Sequence, residues 1–315
     1  MAKFVKVATF MFNPVLLKDK PQDMDVVDYE IAWIEENINK VLIDKPDLIV
    51  LPEVCDRPGD IKAEDTTAYY AYRGEKVVNR MQQIAKQNNC YIALGAVRTA
   101  DDGFNRNSLT MIDRQGNVMG HYDKNHLVLP SENVKSNCIC GREGTIFECD
   151  FGRVGAVICF DLNFEEIRAK YKKLKPDLML FSSNFGGGLM KNFFAFETRS
   201  YFVSACGYEC PAEIINPLGE TLKKTANHYN YLVEKLNLDF AVVHLDNHRA
   251  KMRRAKEKYG ELLKIDDIGF IGVSLLTYFG TDTTAKDILK EFDIIDVDEY
   301  LDLNRRLRED YISKD

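Results

Sequence analysis

Short β-prone runs alternating with helical patterns open this chain, and that rhythm restricts it to α/β architectures. Residues 5–12, 47–51 and 91–97 read as strands, while 26–41 and 77–87 carry apolar residues at helical spacing. Strands joined through helices pair in parallel and are covered by those helices. Residues 107–112 and 118–122 then flank Gln115-Gly116-Asn117, a hairpin signal, so the sheet is expected to be mixed. Further strands are expected at 178–181, 202–206 and 212–215, with a helix over 190–199. Periodicity alone fits a doubly wound sheet as well as two stacked sheets.

The segment 153–168, RVGAVICFDLNFEEIR, places a cysteine where an apolar strand gives way to a helix. Val154, Ala156 and Ile158 form the strand side, and Phe164, Ile167 and Tyr171 recur at helical spacing. Backbone N–H groups at such a junction are free to face an anion. A cysteine in a strand is ordinarily just a small buried hydrophobe, so Cys159 needs company to be read as a nucleophile. Two other segments supply it: LIVLPE at 48–53, which ends in Pro52-Glu53, and YDKNHL at 122–127, where Lys124 follows an expected strand. A carboxylate, an ammonium and a thiol thus stand at three separate element ends.

These motifs resemble the nitrilase superfamily of carbon-nitrogen hydrolases. Pro52-Glu53, Tyr122-Asp123-Lys124 and Gly155-Ala156-Val157-Ile158-Cys159-Phe160-Asp161 occur in the family's order, and 151–155 and Asn216-Pro217-Leu218-Gly219-Glu220 fall where the family has similar pieces. The resemblance covers about residues 4 to 250. It implies a four-layer αββα sandwich, with Glu53, Lys124 and Cys159 as a catalytic triad and a second glutamate before the cysteine strand. Glu132, in Pro130-Ser131-Glu132-Asn133, matches that glutamate best; its spacing to Gly141 departs from the family pattern, and Cys140-Gly141 stands where the family has Pro-Gly. Glu143 is the fallback.

In such a site the thiol attacks a carbonyl carbon, a base accepts its proton, and donors meet the oxyanion. Cys159 is the expected nucleophile and Glu53 the base that returns the proton to the departing nitrogen. Lys124 and the Phe160 amide would form the oxyanion pocket. A solvated glutamate titrates near ~4.3 and donates poorly, so the base of such a site has to be buried or set beside a second acid. Asp161 is expected to orient the helix start. Phe160, Asn184 and Phe185 are expected to bind substrate. Arg57 is expected to be an exposed surface arginine first, with a contact to a substrate carboxylate as the second reading. Phe160-Asp161 resembles the amidase branches, whereas nitrilases carry Trp-Glu there, so a small amide or N-carbamoyl substrate is expected ahead of a nitrile. A Cys-His protease would need His126 as base, and a non-catalytic scaffold would need the unusual loop before Gly141 to leave the site open.

A chain of 315 residues with 45% hydrophobic and 29% charged residues has ample material for a core. Its net charge of −7, with no basic stripe beyond 249–258, speaks against nucleic acid and anionic membranes as partners. No export signal and no apolar run of ~18 residues is visible, so the expected setting is cytoplasmic and the eight cysteines are expected to be reduced. Their spacings match no zinc site, and no cofactor is expected. Residues 1–250 are read as the hydrolase domain and 251–315 as a C-terminal extension. Ile294, Val297, Tyr300, Leu301 and Leu303 give that extension an apolar face for its own domain or for the partner subunit of a homodimer or larger homo-oligomer.

Overall fold

A computed structural model describes residues 3–129, 131–269 and 271–313. Contacts divide the chain into two compact units: Val5–Lys235, and Leu236 onward together with the first residues of the chain. The boundary read from sequence at 250/251 falls inside a helix, Arg249–Tyr259, because the charged surface of that helix hides its small buried face of Met252 and Ala255.

The larger unit is built on two six-stranded sheets. The first contains β1 (Phe4–Phe10), β2 (Leu48–Val50), β3 (Tyr91–Thr99), β4 (Asn105–Ile112) and β5 (Val118–Asp123). The second contains β6 (Ile146–Cys149), β7 (Gly152–Ile158), β8 (Leu178–Ser183), β9 (Tyr201–Cys206), β10 (Glu213–Ile215) and β11 (Thr221–Lys224), after which β12 (Tyr231–Asn237) returns to the edge of the first sheet beside β1. In each sheet three strands are parallel, β1-β2-β3 and β7-β8-β9, and antiparallel strands extend it. All three residues of β2 and all six of β8 and of β9 are buried, which explains their unbroken apolar runs.

The helices are α1 (Val26–Leu42), α2 (Thr66–Arg73), α3 (Lys76–Asn88), α4 (Ser131–Ser136), α5 (Glu165–Leu174) and α6 (Leu189–Thr198). Asp25 starts α1 by accepting from the amides of Val27 and Asp28 at 2.9 and 3.3 Å. α1 and α3 lay Val27, Ile34, Ile38, Met81 and Ile84 on the first sheet. α5 and α6 lay Ile167, Tyr171, Phe194 and Ala195 on the second. The fold is the four-layer αββα sandwich that the motifs implied. The sheets meet face to face, where Thr9 Oγ1 donates to the Ser204 carbonyl at 2.7 Å and Ser182 Oγ to the Leu51 carbonyl at 2.9 Å. Contact is so close there that a Cβ on Gly95 would lie 2.3 Å from the Pro52 carbonyl oxygen. Glycine at 95 therefore lets β3 press against the chain just before Glu53.

In the smaller unit, β13 (Phe240–His244), β15 (Val273–Tyr278) and β14 (Leu263–Asp266) form an antiparallel sheet with β15 central. α7 (Arg249–Tyr259), α8 (Ala285–Glu291) and α9 (Val297–Ile312) accompany it. Of the expected apolar face, Ile294 and Val297 are buried and Tyr300 stacks on His244 at 4.2 Å, whereas Leu303 is exposed. Among the described residues no helix is long and apolar enough to cross a membrane.

Candidate active site

Three residues come to one place because they follow strand ends. Glu53 follows β2, Cys159 follows β7 and Asn184 follows β8, all at the carboxyl ends of parallel strands, while Lys124 follows β5. Open α/β sheets offer their binding crevice at such ends. Together with Asn107 on β4 and Glu132 on α4, these residues line a cavity of about 280 Å³.

Lys124 is the centre of the cluster. Its Nζ lies 2.8 Å from Glu53 Oε1 and 3.0 Å from Glu132 Oε2, and only 2% of the residue is exposed. Burial opposes the ammonium charge, but Glu53, the Cys159 thiol and Glu132 around it prevail and hold it protonated well above the ordinary lysine range. Glu53 is 5% exposed and fully engaged: Oε1 also accepts from Asn107 Nδ2 at 2.8 Å, and Oε2 from the Asn184 amide at 3.0 Å. The same Asn107 Nδ2 donates to Glu132 Oε1 at 2.8 Å, and the Val128 amide donates to Glu132 Oε2 at 2.6 Å. Glu132 therefore reaches Lys124, while Glu143 is exposed and its backbone carbonyl accepts from Asn125 Nδ2 at 3.2 Å.

The junction at Cys159 is a tight turn, with a 3-10 segment, Cys159–Asn163, between β7 and α5. Cys159 has φ of 46° and Val54, next to Glu53, has φ of 50°. A non-glycine residue in this left-handed region is uncommon, and for a β-branched valine it is a true outlier; such strain gathers at functional sites. Burial first, and then the charge of Glu53, push the Cys159 thiol up to about 12, against the opposing pull of Lys124 and the Ser183 hydroxyl. Both disfavour the thiolate, so a neighbouring base has a role in activating the sulfur.

Asp161 ties the cysteine turn to the lysine turn. It is fully buried; Oδ2 accepts from the Tyr122 hydroxyl at 2.7 Å and from the Ile158 amide at 3.3 Å, and Oδ1 accepts from the His126 amide at 2.7 Å. The expected orienting role is thus played across two loops rather than at a single helix start. His126 stacks on Phe164 at 3.6 Å, with ring nitrogens 3.1 Å from Asp161 and 3.2 Å from Glu166. It does not line the cavity. The hydrogen bond it donates to Asp161 raises its pKa above the ordinary histidine value. A folded pKa above the unfolded one gives stabilisation that is complete below the unfolded pKa, near ~6.5, and lost as pH rises through the folded pKa. His126→Gln is therefore expected to lower the melting temperature most at about pH 5 and progressively less toward about pH 9. A deficit that grew with pH would contradict this pairing.

Of the expected substrate contacts, Asn184 lines the cavity, and its Nδ2 also donates to the Glu53 carbonyl at 3.2 Å. Phe160 and Phe185 are 38% and 39% exposed and their side chains do not line the cavity; the Phe160 ring instead meets Phe164 edge-on at 5.2 Å. Sequence reasoning missed Asn107: a lone polar residue in a strand carries no local signal, and only its 2% exposure betrays it. It also missed the buried pair of Asp56 with Arg73, which fixes the loop after Glu53 while Arg73 Nη2 donates to the Val97 carbonyl at 2.7 Å. Among the described residues no group of three or more His, Cys, Asp or Glu could hold a metal.

Residues 26–222 match the family described as Carbon-nitrogen hydrolase, and the chain belongs to that family. The chain spans 57% and 35% of the length of the first curated relatives it matches. It is 28% identical over 166 residues to a deaminated glutathione amidase of Dictyostelium discoideum, covering 48% of this chain and 57% of that protein. It is 22% identical over 219 residues to an omega-amidase of Xenopus tropicalis, covering 61% of this chain and 77% of that one. Among solved structures, a variant of the amidase from Nesterenkonia sp. AN1 superposes with a TM-score of 0.64 at 16% identity, covering 79% of this chain and 95% of its own.

Proposed function

We propose that this protein hydrolyses a small amide or N-carbamoyl compound through a thioester on Cys159. The carrying observation is one buried carboxylate, Glu53, set between the Lys124 ammonium at 2.8 Å and a thiol whose pKa is pushed up to about 12. Burial and the charge of Glu53 disfavour the free thiolate, and Glu53 is the acceptor placed for its proton. Cys159 Sγ attacks the carbonyl carbon as its proton passes to Glu53. The oxyanion that forms is met by Lys124 and the Phe160 amide, preorganised donors that act as charge develops. The C–N bond then breaks with the proton moving from Glu53 to the leaving nitrogen. Water enters, gives a proton to Glu53 and cleaves the thioester, and that proton returns to sulfur as the acid leaves. Glu132 and Asn107 keep Lys124 and Glu53 in register.

Support also comes from the relatives: those named above are amidases, and the Nesterenkonia variant carries the acetamide moiety of fluoroacetamide added covalently at its active-site cysteine. The test is ammonia release from a panel of primary amides, N-carbamoyl compounds and nitriles. Release from amides or carbamoyl compounds, with a transient acyl mass on the peptide bearing Cys159, is the expected result. Release from nitriles alone would move the protein to the nitrilase chemistry. No turnover and no acyl adduct from any class would sink the proposal in favour of a binding protein.

A further inference from the structure

The turn that follows β8 reaches across to the turn that follows β2. Asn184 donates to Glu53 at two points, its amide to the carboxylate Oε2 at 3.0 Å and its Nδ2 to the main-chain carbonyl at 3.2 Å. The chain is pinned to β3 before and after this point, because the Leu51 amide donates to the Ala93 carbonyl and the Cys55 amide to the Gly95 carbonyl, each at 3.0 Å. Between those pins lies the Glu53–Val54 peptide, which leads into the left-handed Val54 with φ of 50°. Such a valine persists only where its neighbours over-determine it. The bond from Asn184 Nδ2 to the Glu53 carbonyl resists the peptide rotation that would relax Val54, and it fixes how the Asn184 amide meets the carboxylate. Room for this grip comes from Gly207, directly after β9, which donates to the Ser183 carbonyl at 2.9 Å. A Cβ on Gly207 would lie 2.5 Å from Asn184 Oδ1.

We propose that Asn184 is a positioning residue for Glu53, holding its carboxylate in place beside the Cys159 thiol, rather than a contact for substrate. This rests on the reading of Glu53 as the base of Cys159. Oε1 of Glu53 already accepts from Lys124 and Asn107, so Oε2 is the oxygen left to take the thiol proton, and the Asn184 amide sets where it points. Proton transfer needs close approach, and a misplacement of about 1 Å is costly. The groups that act on the Cys159 thiol are Glu53, which raises it, and Lys124 and the Ser183 hydroxyl, which lower it. Glu132, Cys138 and Arg57, which is half-buried rather than exposed, share the cavity wall. Of all these, Glu53 is the one that Asn184 holds.

Two variants remove the grip from opposite sides. Asn184→Ala deletes the side chain, and Gly207→Ala pushes it aside from a position that is not part of the cavity wall. Both are expected to lower kcat on a small primary amide by about 10- to 100-fold while KM stays within about threefold of the parent, since a misplaced base slows proton transfer and leaves ground-state binding intact. Both should also move the pH midpoint for alkylation of Cys159 by iodoacetamide downward, because the charge of Glu53 that raises the thiol is no longer held beside it. A merely structural loss of packing would not lower that midpoint. A raised KM with kcat and midpoint unchanged would return Asn184 to substrate binding, and a midpoint that stays or rises in either variant would equally overturn the proposal. Alkylation needs no turnover, so the two readings fail separately: a lowered midpoint in both variants of a protein that hydrolyses no amide upholds the grip and refutes the hydrolase.

Discussion

Cys159→Ala is expected to lower kcat/KM for amide hydrolysis by about 10⁵- to 10⁶-fold, or ~7–8 kcal/mol of transition-state stabilisation, with the fold intact. The size follows from removing the only group that makes the covalent bond, since a nucleophile acting as one unit with its base takes nearly the whole covalent route with it. Stability should change little. Cys159 already adopts φ of 46°, and alanine, which also has a Cβ, meets the same local strain there. Cys138 provides a demanding control, because it is buried in the wall of the same cavity and its thiol is likewise pushed up to about 12 by burial. It differs in its place, since Cys138 bridges Asn105 at the start of β4, whereas Cys159 stands at the strand-to-helix turn and feels the charges of Glu53 and Lys124 most. Cys138→Ala should retain activity within about tenfold. More than about 1% residual activity in Cys159→Ala, or a collapse in Cys138→Ala with Cys159 intact, would assign the chemistry to the wrong sulfur.

The strand-and-helix rhythm made the layered core legible, because strands such as β8 are buried on both faces and read as unbroken apolar runs. The positions of Glu53, Lys124 and Cys159 were legible for a related reason: each stands where a run of core residues ends, and chemistry has to be displayed at such ends. What joins them was not. Lys124 and Glu53 are 71 positions apart and Asn107 and Glu53 are 54 apart, so no local pattern records their contact. Asn107 reads as one polar step in the alternation of β4, yet it bridges two carboxylates. Arg57 could not be placed by its own segment, since its burial depends on α2 folding back with Tyr70 and Arg73. The sheet of the smaller unit was equally hidden, because β14 and α7 are rich in charged side chains that mask short buried faces.

Glu53→Gln should separate the two things this carboxylate does, because it is expected to move activity and thiol acidity in opposite senses. Loss of the base removes the acceptor from acylation and the activator of water from deacylation, and general-base removal costs about 10²- to 10⁴-fold in a single step. With both half-reactions affected, kcat should fall toward the upper end, about 10⁴-fold. The amide also cannot reproduce the carboxylate's partners. One side of Glu53 faces Lys124 and Asn107 and the other faces the Asn184 N–H, all donors, so whichever way the new NH₂ turns it meets a donor. At the same time the charge of Glu53 is one of the two main causes holding the Cys159 thiol high, after burial, while Lys124 pulls the other way. Removing that charge leaves Lys124 less opposed, so the midpoint of the pH profile for alkylation of Cys159 should drop below that of the wild type even as turnover disappears. A variant that merely damaged the site would not show this, since disorder would move Lys124 away and leave the midpoint unchanged or higher. Activity within tenfold of wild type, or an unmoved alkylation midpoint beside lost activity, would remove Glu53 from the role of base.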